Sequence, residues 1–178
     1  MKRSIVLIGM MGAGKSAVGA ELGRRLGVPV RDTDTEIQAA AAATIPEIFA
    51  RDGEAFFRAR ESEVLARVLR GPAGIVSTGG GAWMRPENRT LIAGAGVSVW
   101  LDCKLFFLWR RVKQKPTRPL LQTPDPRGTL ERLMAERAPA YALADITVAV
   151  QDSDSVEATA TRVLDAIRAR RPDILEPA

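Results

Sequence analysis

Residues 5–16, IVLIGMMGAGKS, determine how this chain is expected to fold. The segment begins with four aliphatic residues, which predict a short buried strand. Val18, Leu22 and Leu26 follow at the spacing of one helix face, so a helix is expected immediately after the segment. Between the two elements, GMMGAGKS matches GxxxxGK followed by Ser or Thr, the pattern of a phosphate-binding loop. An ordinary glycine-rich turn is the alternative, but the complete pattern between a strand and a helix favours phosphate binding.

Phosphate binding explains why glycine, lysine and serine occur at these positions of the loop. Its glycines allow successive backbone N–H groups to face phosphate oxygens at the positively polarised start of a helix. The Lys15 ammonium would reach the β- and γ-phosphates of a nucleotide, and the Ser16 hydroxyl would ligate Mg²⁺. The residues expected to bind ATP here are Gly12, Ala13, Gly14, Lys15, Ser16 and Ala17.

Short apolar runs alternate with helical stretches along the rest of the chain. This alternation is typical of an α/β fold in which βα units surround a mainly parallel sheet. The predicted strands are Ser4–Gly9, Pro29–Asp32, Gly74–Thr78, Val97–Asp102 and Asp145–Val150. Gly27 is expected to end the first helix. The last helix is expected to start after residues 152–154, DSD, which offer a carboxylate as its cap.

Two segments interrupt this alternation. Residues 36–69 have a helical pattern with breaks near Ile45 and Gly53, which predicts a helical insertion that could cover a pocket. Residues 113–126 contain four prolines and predict a long ordered loop of the kind that forms lids. From Arg171 onward no periodicity remains, so a frayed tail is expected.

Composition and charge exclude several classes of function. The 178 residues are 46% hydrophobic and 26% charged, as expected for one globular domain. The chain has no histidine and one cysteine, which excludes imidazole catalysis, an intrachain disulfide and a cysteine-based zinc site. The net charge is +5, but basic and acidic residues are interleaved, so no nucleic-acid partner is expected. The N-terminal apolar stretch is too short to span a bilayer, so we expect no membrane or targeting segment and a cytoplasmic location.

Polar groups follow the second and third predicted strands, at the edge where parallel sheets bind ligands. If the second strand extends as far as Asp34, alternation would place Asp32 and Asp34 on one side, so one carboxylate can hold a metal while the other faces a substrate hydroxyl. Residues 33–36 also fit a capping box, a structural alternative that does not explain Asp32. The glycines of Gly79–Gly81 could expose backbone N–H groups to a ligand or simply form a tight connection.

Arginines occur in three of the remaining motifs. Arg58 lies in the helical insertion, Arg118 in the proline-rich loop and Arg137 in the segment RAPAY. A guanidinium can bind a carboxylate or a phosphate through two parallel hydrogen bonds. On position alone, a solvated surface role is the alternative for each of them, because the chain is rich in arginine.

The order of these motifs resembles that of shikimate kinases. The matching features are the phosphate loop, Asp-Thr-Asp, the segment from Gly53 to Glu61, Thr-Gly-Gly-Gly, Arg-Pro-Leu-Leu and Arg-x-x-x-Tyr, and they extend from about Ile5 to Ile167. The resemblance implies a three-layer P-loop kinase fold with a five-stranded parallel sheet in the order 2-3-1-4-5. Residues 1–171 would form this single domain, and residues 172–178 the frayed tail. A helical substrate-binding region is implied at about 33–61 and a lid at about 112–124.

The same resemblance implies an activity and a role for each site residue. The reaction would transfer the γ-phosphate of ATP to the 3-hydroxyl of shikimate, a step towards chorismate and the aromatic amino acids. Lys15, Asp34 and Arg118 would be catalytic, with Asp34 binding the reacting hydroxyl. Shikimate would be bound by Asp34, Arg58, Gly79, Gly80, Gly81 and Arg137. ATP would also be bound by Arg110 and Arg118, and Mg²⁺ would be held by Ser16 and, through water, by Asp32.

Two alternatives stay open beside this interpretation. One is a related small-molecule kinase, such as a gluconate kinase or a nucleoside monophosphate kinase, and the other is a non-catalytic binding protein that resembles shikimate kinase. The sequence departs from the family pattern at residues 41–44, AAAT, where a glycine is often found, and at residues 151–154, which leaves adenine contacts other than Arg110 open. We expect the protein to be a monomer.

Overall fold

The strands of this protein form a single sheet in the computed structural model, which describes residues 1–114 and 118–175. They are β1 (Ser4–Ile8), β2 (Val30–Asp32), β3 (Ile75–Ser77), β4 (Gly96–Cys103) and β5 (Ile146–Val150). All neighbouring strands are parallel, and their order is β2-β3-β1-β4-β5, which confirms the predicted topology. Each predicted strand agrees with the observed one to within one residue at either end.

Helices cover both faces of the sheet and produce the three expected layers. They are α1 (Lys15–Leu26), α2 (Thr33–Ala41), α3 (Ile45–Leu69), α4 (Pro86–Ala95), α5 (Leu105–Val112), α6 (Pro126–Tyr141) and α7 (Val156–Arg170). Short 3₁₀ turns lie at Ala82–Met84, Pro119–Leu121 and Pro172–Leu175. Strand β1 is buried along its whole length because it lies between β3 and β4, with helices above and below it.

The ends of two helices test the capping predictions. Helix α1 ends as predicted at Gly27, which adopts φ 63° and donates its N–H to the Gly23 carbonyl. The predicted carboxylate cap of α7 is wrong, because the Ser155 hydroxyl accepts from the Ala158 N–H instead. Asp154 receives a hydrogen bond from the Gln151 N–H and pairs with Arg162.

The helical insertion consists of α2 and α3, and both predicted breaks are present. Helix α3 begins with a capping box between Thr44 and Glu47, and Pro46 lies in its first turn. At Gly53 the backbone leaves the helical region, with φ 81° and ψ 171°, so α3 is kinked there. The insertion therefore changes direction within α3.

Ala42 ends α2 in a conformation that suits glycine. It has φ 48° and ψ 36° and donates its N–H to the Gln38 carbonyl, while its side chain is exposed. The Cβ atom therefore contributes strain without packing. We expect Ala42→Gly to raise the free energy of unfolding by about 1 kcal/mol.

Thermal or urea unfolding can measure this effect, with an expected rise in Tm of about 2–4 °C. Ala39→Gly is the matched control, because the same substitution inside α2 should lower stability by about 1 kcal/mol. Equal changes of the same sign for both variants would contradict the prediction.

The regions predicted as loop and tail contain more structure than expected. In the proline-rich segment, Pro119–Leu121 forms a 3₁₀ turn and Pro126 starts α6, while residues 115–117 lie outside the described residues. The frayed tail is wrong as far as Leu175, because Ile174 is fully buried and Arg171 pairs with Asp173. Residues 176–178 lie outside the described residues. In the described part of the chain, no helix is both long and apolar enough to cross a membrane.

Candidate active site

The phosphate loop connects β1 to α1 and surrounds the side chain of Lys15. Gly9, Gly12 and Gly14 have φ values of 138°, 82° and 93°, which side chains rarely tolerate. A Cβ at Gly12 would also lie 2.8 Å from Val112 Cγ1. Lys15 is 8% exposed, and its Nζ donates to the carbonyls of Gly9, at 2.8 Å, and Met10, at 2.9 Å.

The surroundings of Lys15 favour the arrival of negative charge. Burial lowers the pKa of Lys15 to about 8, although the nearby Asp34 carboxylate acts in the opposite direction. A phosphate group bound beside Nζ would raise the pKa of Lys15 again, because its negative charge stabilises the charged ammonium. The loop is thus arranged to bind an anion.

A cavity of about 540 Å³ opens above the loop, and we call it the phosphate-loop cavity. Every loop residue predicted to bind ATP lines it: Gly12, Ala13, Gly14, Lys15, Ser16 and Ala17. Asp32, Asp34, Arg111 and Arg118 also line it. The far side is formed by residues around the start of α7, including Ser155 and Thr159. Its dimensions suit a ligand of nucleotide size.

Ser16 and Asp32 form a pair of oxygen donors at one wall of this cavity. The Ser16 hydroxyl donates to Asp32 Oδ2 at 2.6 Å. The other carboxylate oxygen of Asp32 caps α2, accepting from the N–H groups of Asp34 and Thr35 at 3.0 and 3.2 Å. The alternative of a capping box that begins at Thr33 is therefore wrong. Asp32 caps the helix, and the Thr33 hydroxyl instead accepts from the Gly79 N–H.

This donor set fits Mg²⁺ that arrives with a nucleotide. Hydroxyl and carboxylate oxygens are ligands that Mg²⁺ prefers, and it commonly completes its shell with phosphate oxygens and water. The described residues contain no group of three or more His, Cys, Asp or Glu side chains able to hold a metal ion. A metal held by Ser16 and Asp32 would therefore depend on oxygens from the nucleotide and from water.

A second cavity, of about 530 Å³, lies between the helical insertion and the loop of Gly79–Gly81, which we call the glycine loop. We call this second cavity the arginine cavity. All predicted shikimate-binding residues line it: Asp34, Arg58, Gly79, Gly80, Gly81 and Arg137. Phe49 and Phe57 provide an apolar wall, and their rings lie 4.7 Å apart between centroids. Positive guanidinium groups beside an apolar wall suit a small organic anion with a carbon ring.

Glu61 is a site residue that the sequence indicated only as part of a motif. It is fully buried, and its Oε2 accepts from Arg58 Nη1 at 3.0 Å. Its Oε1 has no hydrogen-bond partner among the described residues, and burial raises the pKa of Glu61. The spacing Arg58-x-x-Glu61 on α3 was the available signal, because residues three apart on a helix are neighbours.

Two of the three loop glycines leave room for these charged groups. A Cβ at Gly79 would lie 2.5 Å from Glu61 Oε1 and 2.8 Å from Asp34 Oδ1. A Cβ at Gly81 would lie 2.5 Å from Cζ of Arg58. The triple glycine therefore reflects close approach by site side chains as well as a tight connection.

Asp34 lies in the first turn of α2 with its Oδ1 buried and unpaired among the described residues. Burial raises the pKa of Asp34, and the neighbouring Asp32 carboxylate raises it further. Lys15, Arg118 and Arg58 oppose this shift through their positive charges. A buried carboxylate oxygen without a donor can accept a hydrogen bond from an incoming hydroxyl group.

The phosphate-loop cavity and the arginine cavity meet at a shared wall. Its residues are Met11, Asp34, Gly80 and Arg118, each of which lines both cavities. Asp34 offers an acceptor and Arg118 a positive charge at the point of contact. Ligands in the two cavities would therefore meet beside a carboxylate and a guanidinium.

The structure separates the two adjacent arginines of α5. Arg110 is exposed and pairs with Asp152 at 2.8 Å, and it lines neither cavity. Arg111 lines the phosphate-loop cavity and donates to the Gly12 carbonyl at 3.2 Å. The structure thus brings Arg111, rather than the predicted Arg110, to the nucleotide side.

A family profile described as shikimate kinase matches residues 11–168 of this sequence. The chain belongs to the shikimate kinase family. The shikimate kinase of Cereibacter sphaeroides is 56% identical over 176 residues, which are 99% of this chain and 87% of that relative. The shikimate kinase of Ruegeria pomeroyi is 53% identical over 176 residues, with 99% and 90% covered.

Solved structures agree with this assignment to the shikimate kinase family. A shikimate kinase from Acinetobacter baumannii in complex with shikimate superposes with a TM-score of 0.91 and 35% identity, covering 95% of this chain and 94% of the other. A gluconokinase from Sinorhizobium meliloti has a TM-score of 0.58 and 17% identity, covering 96% and 95% of the two chains. The gluconokinase therefore shares only the P-loop kinase fold.

Proposed function

We propose that this protein transfers the γ-phosphate of ATP to the 3-hydroxyl of shikimate, which yields 3-phosphoshikimate and ADP. The observation that carries the proposal is the wall shared by the two cavities, which contains both Asp34 and Arg118. Membership of the shikimate kinase family supports the proposal, as does the shikimate bound to the Acinetobacter baumannii relative. The product would serve the synthesis of chorismate and the aromatic amino acids.

On the nucleotide side, the phosphate loop would bind the phosphates of ATP. Lys15 would exchange its two carbonyl partners for phosphate oxygens, and Arg111 would contact the nucleotide from α5. Ser16 would hold Mg²⁺ directly and Asp32 would hold it through water. When bound, Mg²⁺ neutralises charge on the β- and γ-phosphates.

On the acceptor side, Arg58 and Arg137 would bind the carboxylate of shikimate. Glu61 would hold the Arg58 guanidinium in place through their ion pair. Phe49 and Phe57 would pack against the carbon ring. This arrangement would direct the 3-hydroxyl towards Asp34 and the shared wall.

Phosphoryl transfer depends mainly on positioning and on stabilisation of charge. Asp34 would accept a hydrogen bond from the 3-hydroxyl and take its proton as the oxygen attacks the γ-phosphate. Lys15 and Arg118 would stabilise the charge on the transferred group. We further propose that the protein is a monomer and that it acts in the cytoplasm, where its substrate ATP is available.

The direct test measures ADP formation from Mg-ATP with shikimate, gluconate, quinate or AMP as the acceptor. We expect strong stimulation by shikimate alone, with a product heavier than shikimate by one phosphoryl group. Tight ATP binding without stimulation by shikimate would contradict the proposal. Stimulation by gluconate or AMP instead would assign the protein to another kinase activity.

The carboxylate role of Arg58 can be tested by Arg58→Ala. We expect the KM for shikimate to rise about 30-fold, because a charge-assisted hydrogen bond contributes about 2 kcal/mol. The value of kcat should change by less than about threefold, since the carboxylate is remote from the reacting oxygen. Initial rates at varied shikimate and saturating ATP give both constants.

Arg60→Ala is the matched control for this variant. Arg60 lies on the same helix but lines neither cavity, and it pairs with Glu63. Its loss should leave the KM for shikimate unchanged. An unchanged KM in a folded Arg58→Ala variant would rule out the carboxylate role.

A further inference from the structure

Three hydrogen bonds connect the C-terminal part of α6 to the glycine loop and to Trp83, which follows that loop. Arg137 Nη1 donates to the Gly80 carbonyl at 3.1 Å, and the Tyr141 hydroxyl donates to the same oxygen. Trp83, which follows the loop, donates from Nε1 to the Ala140 carbonyl at 2.7 Å. Arg137 and Tyr141 are four residues apart and therefore lie on one face of α6.

The surroundings of Tyr141 fix the direction of its hydroxyl group. The side chain is 1% exposed, and its ring stacks on Trp100 of β4 with centroids 5.7 Å apart and an angle of 19°. The hydroxyl lies 3.9 Å from Met10 Sδ in the phosphate loop. Burial raises the pKa of Tyr141 to about 12, so the hydroxyl remains a donor at neutral pH.

The Gly80 carbonyl links this buried hydroxyl to the acceptor side. A carbonyl oxygen has two lone pairs, and Tyr141 and Arg137 supply one donor each. Gly80 also packs directly beside Arg137, because a Cβ placed on it would lie in ordinary contact, at 3.4 Å, with Arg137 Nη1 and with Met11 N. The orientation of the Gly80 peptide therefore affects where the Arg137 guanidinium can lie.

We propose that Tyr141 is a positioning residue for the phosphate acceptor. Its hydroxyl holds the Gly80 carbonyl in the orientation that directs Arg137 into the arginine cavity. This inference rests on the proposed function, since Arg137 is there assigned to the carboxylate of shikimate. Tyr141 lines neither cavity, so it acts through Gly80 and Arg137 without touching the substrate.

A positioning role of this kind predicts a specific kinetic pattern. The contact between Arg137 and the carboxylate is the same before and during phosphoryl transfer, so its loss weakens binding more than it slows the chemical step. Loss of one buried hydrogen bond typically corresponds to about a tenfold change. Tyr141→Phe should therefore raise the KM for shikimate about tenfold, while kcat stays within about twofold.

Ser98→Ala is a matched control for removing a buried hydroxyl from the core. Ser98 lies on β4 with Trp100, is 1% exposed, and donates to Asp145 Oδ2 at 2.7 Å. It lines neither the phosphate-loop cavity nor the arginine cavity. We expect Ser98→Ala to lower Tm while leaving the KM for shikimate unchanged.

A double-variant cycle shows whether Tyr141 acts through Arg137. In an Arg137→Met background, Tyr141→Phe should change the KM for shikimate by less than about twofold, because the group that it positions is already absent. A full tenfold effect in that background would overturn the proposal. An unchanged KM for Tyr141→Phe alone would also overturn it, whereas failure of the unsubstituted protein to phosphorylate shikimate would count against the proposed function itself.

A second measurement avoids any dependence on the folding of Tyr141→Phe. Tyr141 is the only tyrosine in the sequence, so biosynthetic labelling with 3-fluorotyrosine gives a single ¹⁹F resonance. We expect saturating shikimate to shift this resonance, because binding at Arg137 changes the hydrogen bonds shared at Gly80. A resonance that does not move, in labelled protein that turns over shikimate, would overturn the proposal.

Discussion

Lys15→Ala is expected to lower kcat by at least about a thousandfold, because it removes a positive charge from the site of phosphoryl transfer. Lys15 is buried in the phosphate loop, lines the phosphate-loop cavity and donates to two carbonyl groups. The transferring phosphoryl group would face those same carbonyl oxygens without the intervening ammonium. Transition-state stabilisation should thus suffer more than nucleotide binding.

Steady-state rates with Mg-ATP and shikimate measure the effect on kcat. Lys104→Ala is the control, because Lys104 is exposed and lines neither cavity. Calorimetry provides a second measurement, since the Lys15 pKa of about 8 predicts proton uptake when ATP binds near pH 8.5. Lys15→Ala should abolish that uptake. A variant that retains more than about a tenth of the kcat of the unsubstituted protein would refute the assigned role.

Asp34→Asn should lower kcat by about a hundredfold to ten-thousandfold, the usual contribution of a general base. The amide has the shape of the carboxylate, so the KM for shikimate should change far less than kcat. The raised pKa of Asp34 gives this residue a further signature. Activity requires the ionised carboxylate, so kcat/KM for shikimate should fall as the pH drops through that raised pKa.

The pH profile of kcat/KM for shikimate, measured at saturating ATP, checks this assignment. The acidic limb should be present in the unsubstituted protein and absent from the residual activity of Asp34→Asn. Asp165→Asn is the control, because Asp165 is exposed on α7 and pairs with Arg168 at the surface. A full acidic limb retained by Asp34→Asn would show that another group titrates.

The phosphate loop and the strands could be predicted from the sequence because each depends on a local pattern of residues. The phosphate loop requires particular residues in order between a strand and a helix, so eight positions were enough to locate it. The strands are short apolar runs whose ends carry glycine, proline or aspartate, and their bounds were accurate to one residue. The strand order came from the resemblance to shikimate kinases, because periodicity carries no information on which strands are neighbours.

The details in which the structure differs from the sequence-based expectation depend on side-chain and backbone directions that sequence does not specify. Neighbouring residues on a helix point about 100° apart, so Arg110 and Arg111 face different surroundings although their sequence context is almost the same. At the start of α7, the sequence predicted a carboxylate cap from residues 152–154, whereas the backbone places Ser155 at the cap position.

Other features required knowledge of contacts distant in the chain. Ile174 is buried by packing that no local periodicity reveals. The Tyr141 hydroxyl donates to a carbonyl 61 residues away, and Glu61 Oε1 lies close to Gly79, which is 18 positions later in the sequence. Such contacts arise from the assembled sheet and helices, so a single sequence can indicate the residues but not their partners.

The wall between the two cavities also limits how substrate preference can diversify in this enzyme. Ser155 faces only the nucleotide side and Gln38 only the acceptor side, so changes at such positions can alter the recognition of one substrate alone. The positions that face both are Met11, Asp34, Gly80 and Arg118. Under the proposed function, mutations there would be expected to affect the recognition of both substrates at once, and a new acceptor preference that keeps ATP use would be expected to arise at the positions outside this set.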